Sequence, residues 1–134
     1  LNRELFKKLK EMKYMGNVKI IPFGYHENTA VFYAVSDCVI GKPGGVTLFE
    51  VAAFSKPFIV WGTLPGQEEK NARFLKRHMF AACPKDEREL KETIVSLISG
   101  KEYFKRIAHN ISTIHKKDAP LKISGYVLKN INSG

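Results

Sequence analysis

The segment that decides the fold is "DCVIGKPGGVTLFEVAAFSKPFIVWG", residues 37–62. It contains a short apolar run, a turn with two adjacent glycines, a stretch whose apolar residues have helical spacing, and a second apolar run. Apolar runs that do not alternate with polar residues, joined through a helix, are typical of neighbouring parallel strands buried on both faces. The segment therefore predicts a β-α-β unit.

The same alternation extends along the chain on both sides of this unit. Predicted strands cover residues 18–23, 37–41, 57–62 and 80–83, and predicted helices cover 26–36, 46–55, 66–79 and 86–99, with two more helices within 102–131. Strands separated by helices indicate a sheet covered on both faces. We predict an α/β fold, a Rossmann-like parallel sheet with helices on both faces, in a single domain over residues 1–134.

Length, cysteine usage and hydropathy limit the class of protein. The chain has 134 residues, of which 44% are hydrophobic, which suits one domain with a core and is short for a two-domain enzyme. Cys38 and Cys83 lie in apolar segments without C-x-x-C spacing, which favours reduced thiols in a cytosolic protein. No run reaches the roughly 18 to 20 apolar residues of a membrane span. We expect a cytoplasmic location, and peripheral attachment at the inner face of the cell membrane stays open.

The chain starts directly in a basic, helix-like pattern, "LNRELFKKLKEMKYMG", and its first residue is not methionine. We therefore expect it to be a piece of a longer protein.

The formal net charge of +9 indicates an anionic partner. Nucleic acid is disfavoured because the basic residues are scattered and no RNA-recognition, KH or zinc-finger signature is present. An anionic membrane surface fits, since basic residues flank Phe6 and Leu9 near the start of the chain. A basic face that is simply solvated is the remaining interpretation.

The glycine turn lies where a ligand site is expected. Ligands bind at the carboxyl ends of parallel strands, and a helix beginning near Val46 directs free N–H groups and its positive dipole end toward that edge. Thr47 adds a hydroxyl, and the Glu50 carboxylate accepts two hydrogen bonds from a ribose diol. The spacing matches neither a Walker loop nor G-x-G-x-x-G. An ordinary glycine turn followed by a helix-start glutamate is the alternative interpretation.

A second loop, "TLPGQEEKN", follows the next predicted strand at the same edge. Gln67 and Glu68 offer an amide and a carboxylate, which together donate to and accept from sugar hydroxyls. The alternative is that Pro65 and Gly66 shape the turn and the acidic residues occupy a favourable first helical turn.

Taken together, "KPGGVTLFE", "KPFIV" and "PGQEEKN", in this order and spacing, resemble the C-terminal half of GT-B glycosyltransferases. The resemblance is to the branch of processive diacylglycerol glucosyltransferases and monogalactosyldiacylglycerol synthase, and it covers roughly residues 17–98. It implies the donor-binding part of an enzyme that transfers a hexose from a UDP-sugar to a membrane lipid such as diacylglycerol. It implies contacts to uracil from Phe23 and Gly24, to diphosphate from Gly44, Gly45 and Thr47, to ribose from Glu50, and to the sugar from Gln67 and Glu68.

The chain departs from the family pattern in two ways. It lacks the first strands and another glycine loop of the C-terminal domain, and it lacks the N-terminal domain that binds the acceptor and supplies the base. We therefore expect no catalytic residue here, an inactive isolated chain, and completion by a missing domain or partner chain. A non-catalytic UDP-sugar-binding or partner-binding subunit and a nucleotide-sugar epimerase remain as alternatives.

The four histidines give no metal signal, because no pair has the spacing of a helical metal site with a third ligand nearby. The resemblance likewise implies no metal and no cofactor, with the UDP-sugar as donor substrate.

Overall fold

A computed structural model of the chain describes residues 2–12, 14–100 and 102–131. Contacts within the chain divide it into two compact units, Leu1–Val31 and Phe32–Gly134. The single domain expected over residues 1–134 stays a prediction.

The first unit begins with helix α1, Arg3–Glu11. The side chain of Asn2 caps it by accepting a hydrogen bond of 2.9 Å from the Leu5 N–H. Glu4 and Lys8 form an ion pair of 3.1 Å one turn apart, and the Lys10 ammonium lies 4.9 Å from the centre of the Phe6 ring. The cap and these exposed side-chain pairs support the helix locally.

A short antiparallel hairpin follows, with strands β1, Tyr14–Met15, and β2, Val18–Lys19. The prediction that residues 18–23 form a strand of the parallel sheet is wrong. Only Val18–Lys19 form a strand, and it pairs antiparallel with β1 in a separate sheet. Gly16, at φ +59°, and Asn17 form a two-residue turn that pairs Val18 back onto Met15. Pro22 has no N–H for a sheet ladder, so the strand ends before it.

The second unit contains the predicted β-α-β unit and the helices around it. Helix α2 (Ala30–Val35) includes residues of both units. The strands after it are β3 (Val39–Gly41) and β4 (Phe58–Val60). The helices after it are α3 (Gly45–Ala53), α4 (Gln67–Arg77), α5 (Glu87–Ile98), α6 (Glu102–Ser112) and α7 (Ala119–Ile131). Strands β3 and β4 are parallel, with Ile40 opposite Ile59. Ala82 forms a further parallel bridge to Ile59, where the last strand is predicted.

The core lies on both faces of this sheet. Phe58 and Val60 point to one face, where they pack with residues of α3 and α4 such as Val51 and Leu75. Ile59 points to the other face, where Phe104 of α6 belongs to the same cluster. This alternation along a strand that is buried throughout confirms the predicted Rossmann-like α/β arrangement.

Cys38 and Cys83 are not joined in a disulfide and are both half-buried. That they are reduced in a cytosolic protein stays a prediction. Burial raises the pKa of each thiol, with a smaller contribution from Asp37 at Cys38, whereas Lys76 partly opposes the rise at Cys83. Both thiols are therefore poor nucleophiles near neutral pH.

Candidate functional site

Two loops meet at the carboxyl edge of the β3–β4 pair. One runs from Gly41 into α3, and the other runs from Val60 into α4. The Trp61 N–H donates a hydrogen bond of 2.9 Å to the Gly41 carbonyl, which extends the strand pairing by one step. Because the strands are parallel, the N-termini of both helices that follow them lie at this edge.

The first turn of α3 presents unused backbone donors. Its first intrahelical hydrogen bond runs from the Leu48 N–H to the Gly44 carbonyl, at 2.9 Å. The N–H groups of Gly45, Val46 and Thr47 come before it and therefore have no acceptor within the helix. Gly44 is the N-cap, at φ −66° and ψ 149°, and no side chain caps the helix. Such a terminus attracts anions through its N–H groups and its dipole.

The two adjacent glycines leave space beside this terminus. A Cβ on Gly45 would meet nothing within 4 Å, and a Cβ on Gly44 would meet only Thr47 Oγ1, at 3.9 Å. Neither residue has a positive φ, so the backbone conformation does not demand glycine at either position. The absence of side chains instead leaves the main chain open to close approach by a ligand.

Glu50 lies on α3 one turn beyond Thr47 and is half-buried. Its Oε2 accepts a hydrogen bond of 3.0 Å from the Tyr33 hydroxyl, which comes from α2. Burial, followed by the hydrogen bond and the charge of Glu50, raises the pKa of Tyr33, while a hydrogen bond from Thr47 partly opposes this. The phenol therefore stays protonated and acts as a donor at neutral pH.

The second helix terminus is built on Gly66, at φ +99° and ψ −116°, a conformation that L side chains rarely adopt. In the first turn of α4, Glu68 Oε2 accepts a hydrogen bond of 2.7 Å from the Leu64 N–H. One oxygen of Glu68 therefore closes the turn before α4, a use that neither sequence interpretation of this glutamate gave it. Gln67 is exposed, and no hydrogen bond of its side chain is seen within residues 14–100.

Two further residues belong to this edge and were missed in the sequence. Asn71 Nδ2 donates a hydrogen bond of 2.8 Å to the Pro43 carbonyl, so α4 is tied to the turn before α3. The side chain of Lys42 lies beside the loop that follows β4, since its Cε is 4.0 Å from the position of a Cβ built on Gly62. Lys42 directly follows a strand and Asn71 lies one turn into the helix after the next strand, and these positions are the signal that points to them.

Phe23 and Gly24 lie in the first unit, in a segment without regular secondary structure. The Phe23 side chain is 59% exposed, and a Cβ on Gly24 would meet nothing within 4 Å. Contact of this segment with uracil stays a prediction.

Within the described ranges, no three His, Cys, Asp or Glu side chains are grouped so that they could hold a metal ion. No helix among those residues is both long enough and apolar enough to span a bilayer.

Comparison with known proteins identifies the family. The profile of the glycosyltransferase family 28 C-terminal domain matches residues 2–121. The chain is 30% identical over 128 residues to processive diacylglycerol beta-glucosyltransferase of Bacillus subtilis, covering 96% of this chain and 34% of that protein. Proteins of the same name from Bacillus pumilus and Bacillus licheniformis are 29% and 32% identical, over 87% and 85% of this chain, and the match covers 30% of each of them.

The chain thus spans about a third of the length of these relatives. The family match extends over the β-α-β unit, both loops at its carboxyl edge and most of the helices that follow. The chain belongs to the glycosyltransferase family 28 C-terminal domain family.

Proposed function

We propose that this chain binds the UDP-sugar donor of a glycosyltransferase that transfers a hexose to a membrane lipid such as diacylglycerol. The observation that carries the proposal is the uncapped N-terminus of α3, with open space at Gly45 and the Glu50 carboxylate one turn beyond. An anion site beside a hydrogen-bond acceptor matches the diphosphate and ribose of a nucleotide. The relatives are named for transfer of glucose to diacylglycerol, which supports the lipid acceptor.

The diphosphate would lie at the first turn of α3, against the N–H groups of Gly45 and Thr47. Lys42 adds a cation at the same edge, because its side chain lies beside Gly62 in the loop after β4. In the reaction, an acceptor oxygen forms a bond to the anomeric carbon, and the bond from that carbon to the diphosphate breaks. UDP leaves with the electron pair, so the helix terminus and Lys42 stabilise the negative charge that develops there.

The sugar would lie toward α4, because Gln67 is the first residue of that helix and lies at the same edge of the sheet. Its amide both donates to and accepts from hydroxyl groups, whereas Glu68 has one oxygen left after its bond to Leu64. Uracil would contact the Phe23–Gly24 segment. The proton of the acceptor hydroxyl goes to a base that we do not assign to any residue of this chain. We propose that these 134 residues alone do not catalyse sugar transfer.

Replacing Gln67 by alanine is expected to separate nucleotide binding from sugar recognition. UDP affinity should change less than about twofold, while any preference between UDP-glucose and UDP-galactose should disappear, because the amide faces sugar hydroxyls. Competition titrations of the two UDP-sugars against labelled UDP measure this ratio.

The matched control is Glu69→Gln, an exposed residue in the same helical turn. Residues two apart on a helix face different directions, so this change should preserve the sugar preference. An equal loss of affinity for plain UDP in Gln67→Ala would assign Gln67 to the diphosphate instead.

We propose that helix α1 contacts an anionic membrane surface, where the acceptor lipid resides. The helix carries Arg3, Lys7, Lys8 and Lys10, and the Leu5 side chain is 51% exposed. Basic residues near such a surface each contribute about 1 kcal/mol, and long side chains beside apolar ones suit the headgroup region.

At low salt, the chain is expected to bind vesicles containing anionic lipid and to release them as salt is added, because ions screen the attraction. Replacing Lys7, Lys8 and Lys10 by glutamine should weaken binding more than replacing Lys91, Lys116 and Lys117, which changes the net charge equally. Co-sedimentation measures both triple variants, with neutral vesicles as the control. Equal losses in the two variants would show that α1 is not the contact.

A further inference from the structure

We infer that Tyr33 is a positioning residue of the donor site, which holds the Glu50 carboxylate in place for the ribose hydroxyls. The inference rests on the proposed function, because it assigns Tyr33 a task only if Glu50 contacts the nucleotide. It goes beyond that function by adding a residue from α2 to a site otherwise built on α3 and α4.

The hydrogen bond that carries this inference joins two separate helices. The Tyr33 hydroxyl lies 3.0 Å from Glu50 Oε2, and the two residues are 17 positions apart in the chain. A glutamate on a helix surface otherwise rotates about its side-chain bonds. A donor on a neighbouring helix selects one of these orientations.

Tyr33 itself is held by its surroundings. Its ring stacks on Phe54, with 5.9 Å between the ring centres, and it packs against the buried cluster that contains Val51. At the end of α2, the Ser36 hydroxyl donates a hydrogen bond of 3.1 Å to the Tyr33 carbonyl, and Lys56 Nζ donates one of the same length to the Ala34 carbonyl. The phenol oxygen is therefore presented from a fixed point.

An ionised carboxylate suits a diol, because it accepts hydrogen bonds at about four positions on its two oxygens. The Tyr33 hydroxyl would hold this carboxylate in one orientation before the nucleotide binds. Preorganisation of this kind strengthens binding by reducing the freedom that is lost when the ligand arrives.

The raised pKa of Tyr33, caused first by burial and then by Glu50, agrees with this geometry, since the hydroxyl keeps its proton.

The test compares Tyr33→Phe with the wild-type chain by calorimetry, using UDP and 2′,3′-dideoxy-UDP, which lacks both ribose hydroxyls. The substitution removes a single oxygen and keeps the ring that packs on Phe54. UDP binding should weaken about fivefold, and binding of the dideoxy compound should stay within twofold, a difference that general loss of structure would not produce. Tyr126→Phe, at an exposed position on α7, is the matched control and should change neither affinity.

Two further measurements make the result specific. In a Glu50→Ala background, Tyr33→Phe should cause no additional loss of UDP affinity, because the two residues act through one contact. The carboxyl carbon signal of Glu50, observed by NMR with labelled glutamate, should shift in Tyr33→Phe, and this readout needs no ligand.

Unchanged UDP affinity in Tyr33→Phe, with a clear loss in Glu50→Ala, would overturn this inference and leave the proposed function standing. Equal losses for UDP and the dideoxy compound would also overturn it, since Tyr33 would then act on another part of the site. No UDP binding by the wild-type chain would overturn the proposed function and this inference together. No loss of UDP affinity in Glu50→Ala would remove the ribose assignment of Glu50, and this inference with it, while UDP binding at the α3 terminus would stand.

Discussion

UDP binding is expected to fall at least about tenfold when Glu50 is replaced by alanine. A hydrogen bond to a charged group contributes about 1.5 to 3 kcal/mol, and every 1.4 kcal/mol corresponds to a tenfold change in affinity. Glu50 is half-buried at the carboxyl edge of the sheet, so its interaction with a ligand is less screened than that of a fully exposed carboxylate. Calorimetric titration with UDP gives the two dissociation constants.

The same replacement at Glu92 is the control, because that residue lies on α5 with its carboxylate in an exposed ion pair to Arg88. It should leave UDP affinity unchanged, as exposed pairs contribute little. A folded Glu50→Ala variant that binds UDP as tightly as the wild-type chain would remove the ribose assignment.

The free energy of unfolding is expected to fall by about 3 to 5 kcal/mol when Phe58 is replaced by alanine. Phe58 is fully buried at the start of β4, and its ring packs within the cluster that includes Val51 and Leu75. Truncation removes the burial of the ring and leaves a cavity that a strand between two neighbours closes poorly. Because domains are stable by about 5 to 15 kcal/mol, much of the chain would unfold on mild heating.

Urea unfolding followed by circular dichroism measures this change. The matched control is Phe49→Ala on α3, since that side chain is 56% exposed and should cost less than about 1 kcal/mol. Similar losses from the two replacements would contradict the burial of β4 as the centre of the core.

The β-α-β unit was predictable because its signals are local. The apolar runs around Val39 and Ile59 and the glycines before α3 determine strand, turn and helix without reference to distant residues. The run at residues 18–23 has a similar composition, but its pairing depends on a turn that brings Met15 back to Val18. Which strand a segment pairs with depends on which other segment the fold brings beside it, and the composition of the segment does not reveal that.

The site was predictable in outline for the same reason. Parallel strands bring the two loops together wherever they occur, so the positions of Thr47, Glu50 and Gln67 at one edge follow from their order in the chain. The hydrogen-bond partner of each side chain could not be predicted from the sequence. Glu68 suits a sugar contact and a turn-closing bond equally well in the sequence, and its bond to Leu64 appears only in three dimensions. Nothing in the sequence pointed to Tyr33, because the residue to which it donates a hydrogen bond, Glu50, lies on another helix.

The conformation of Gly66 limits how this site can be redesigned. At φ +99° and ψ −116°, any side chain would be strained whatever space surrounds it. A mutant library that tests the proposed sugar contact should therefore keep glycine at this position and randomise Gln67, where the side chain is exposed. Deep mutational scanning would then show an intolerant position directly beside a permissive one, although neither residue contributes to the buried core.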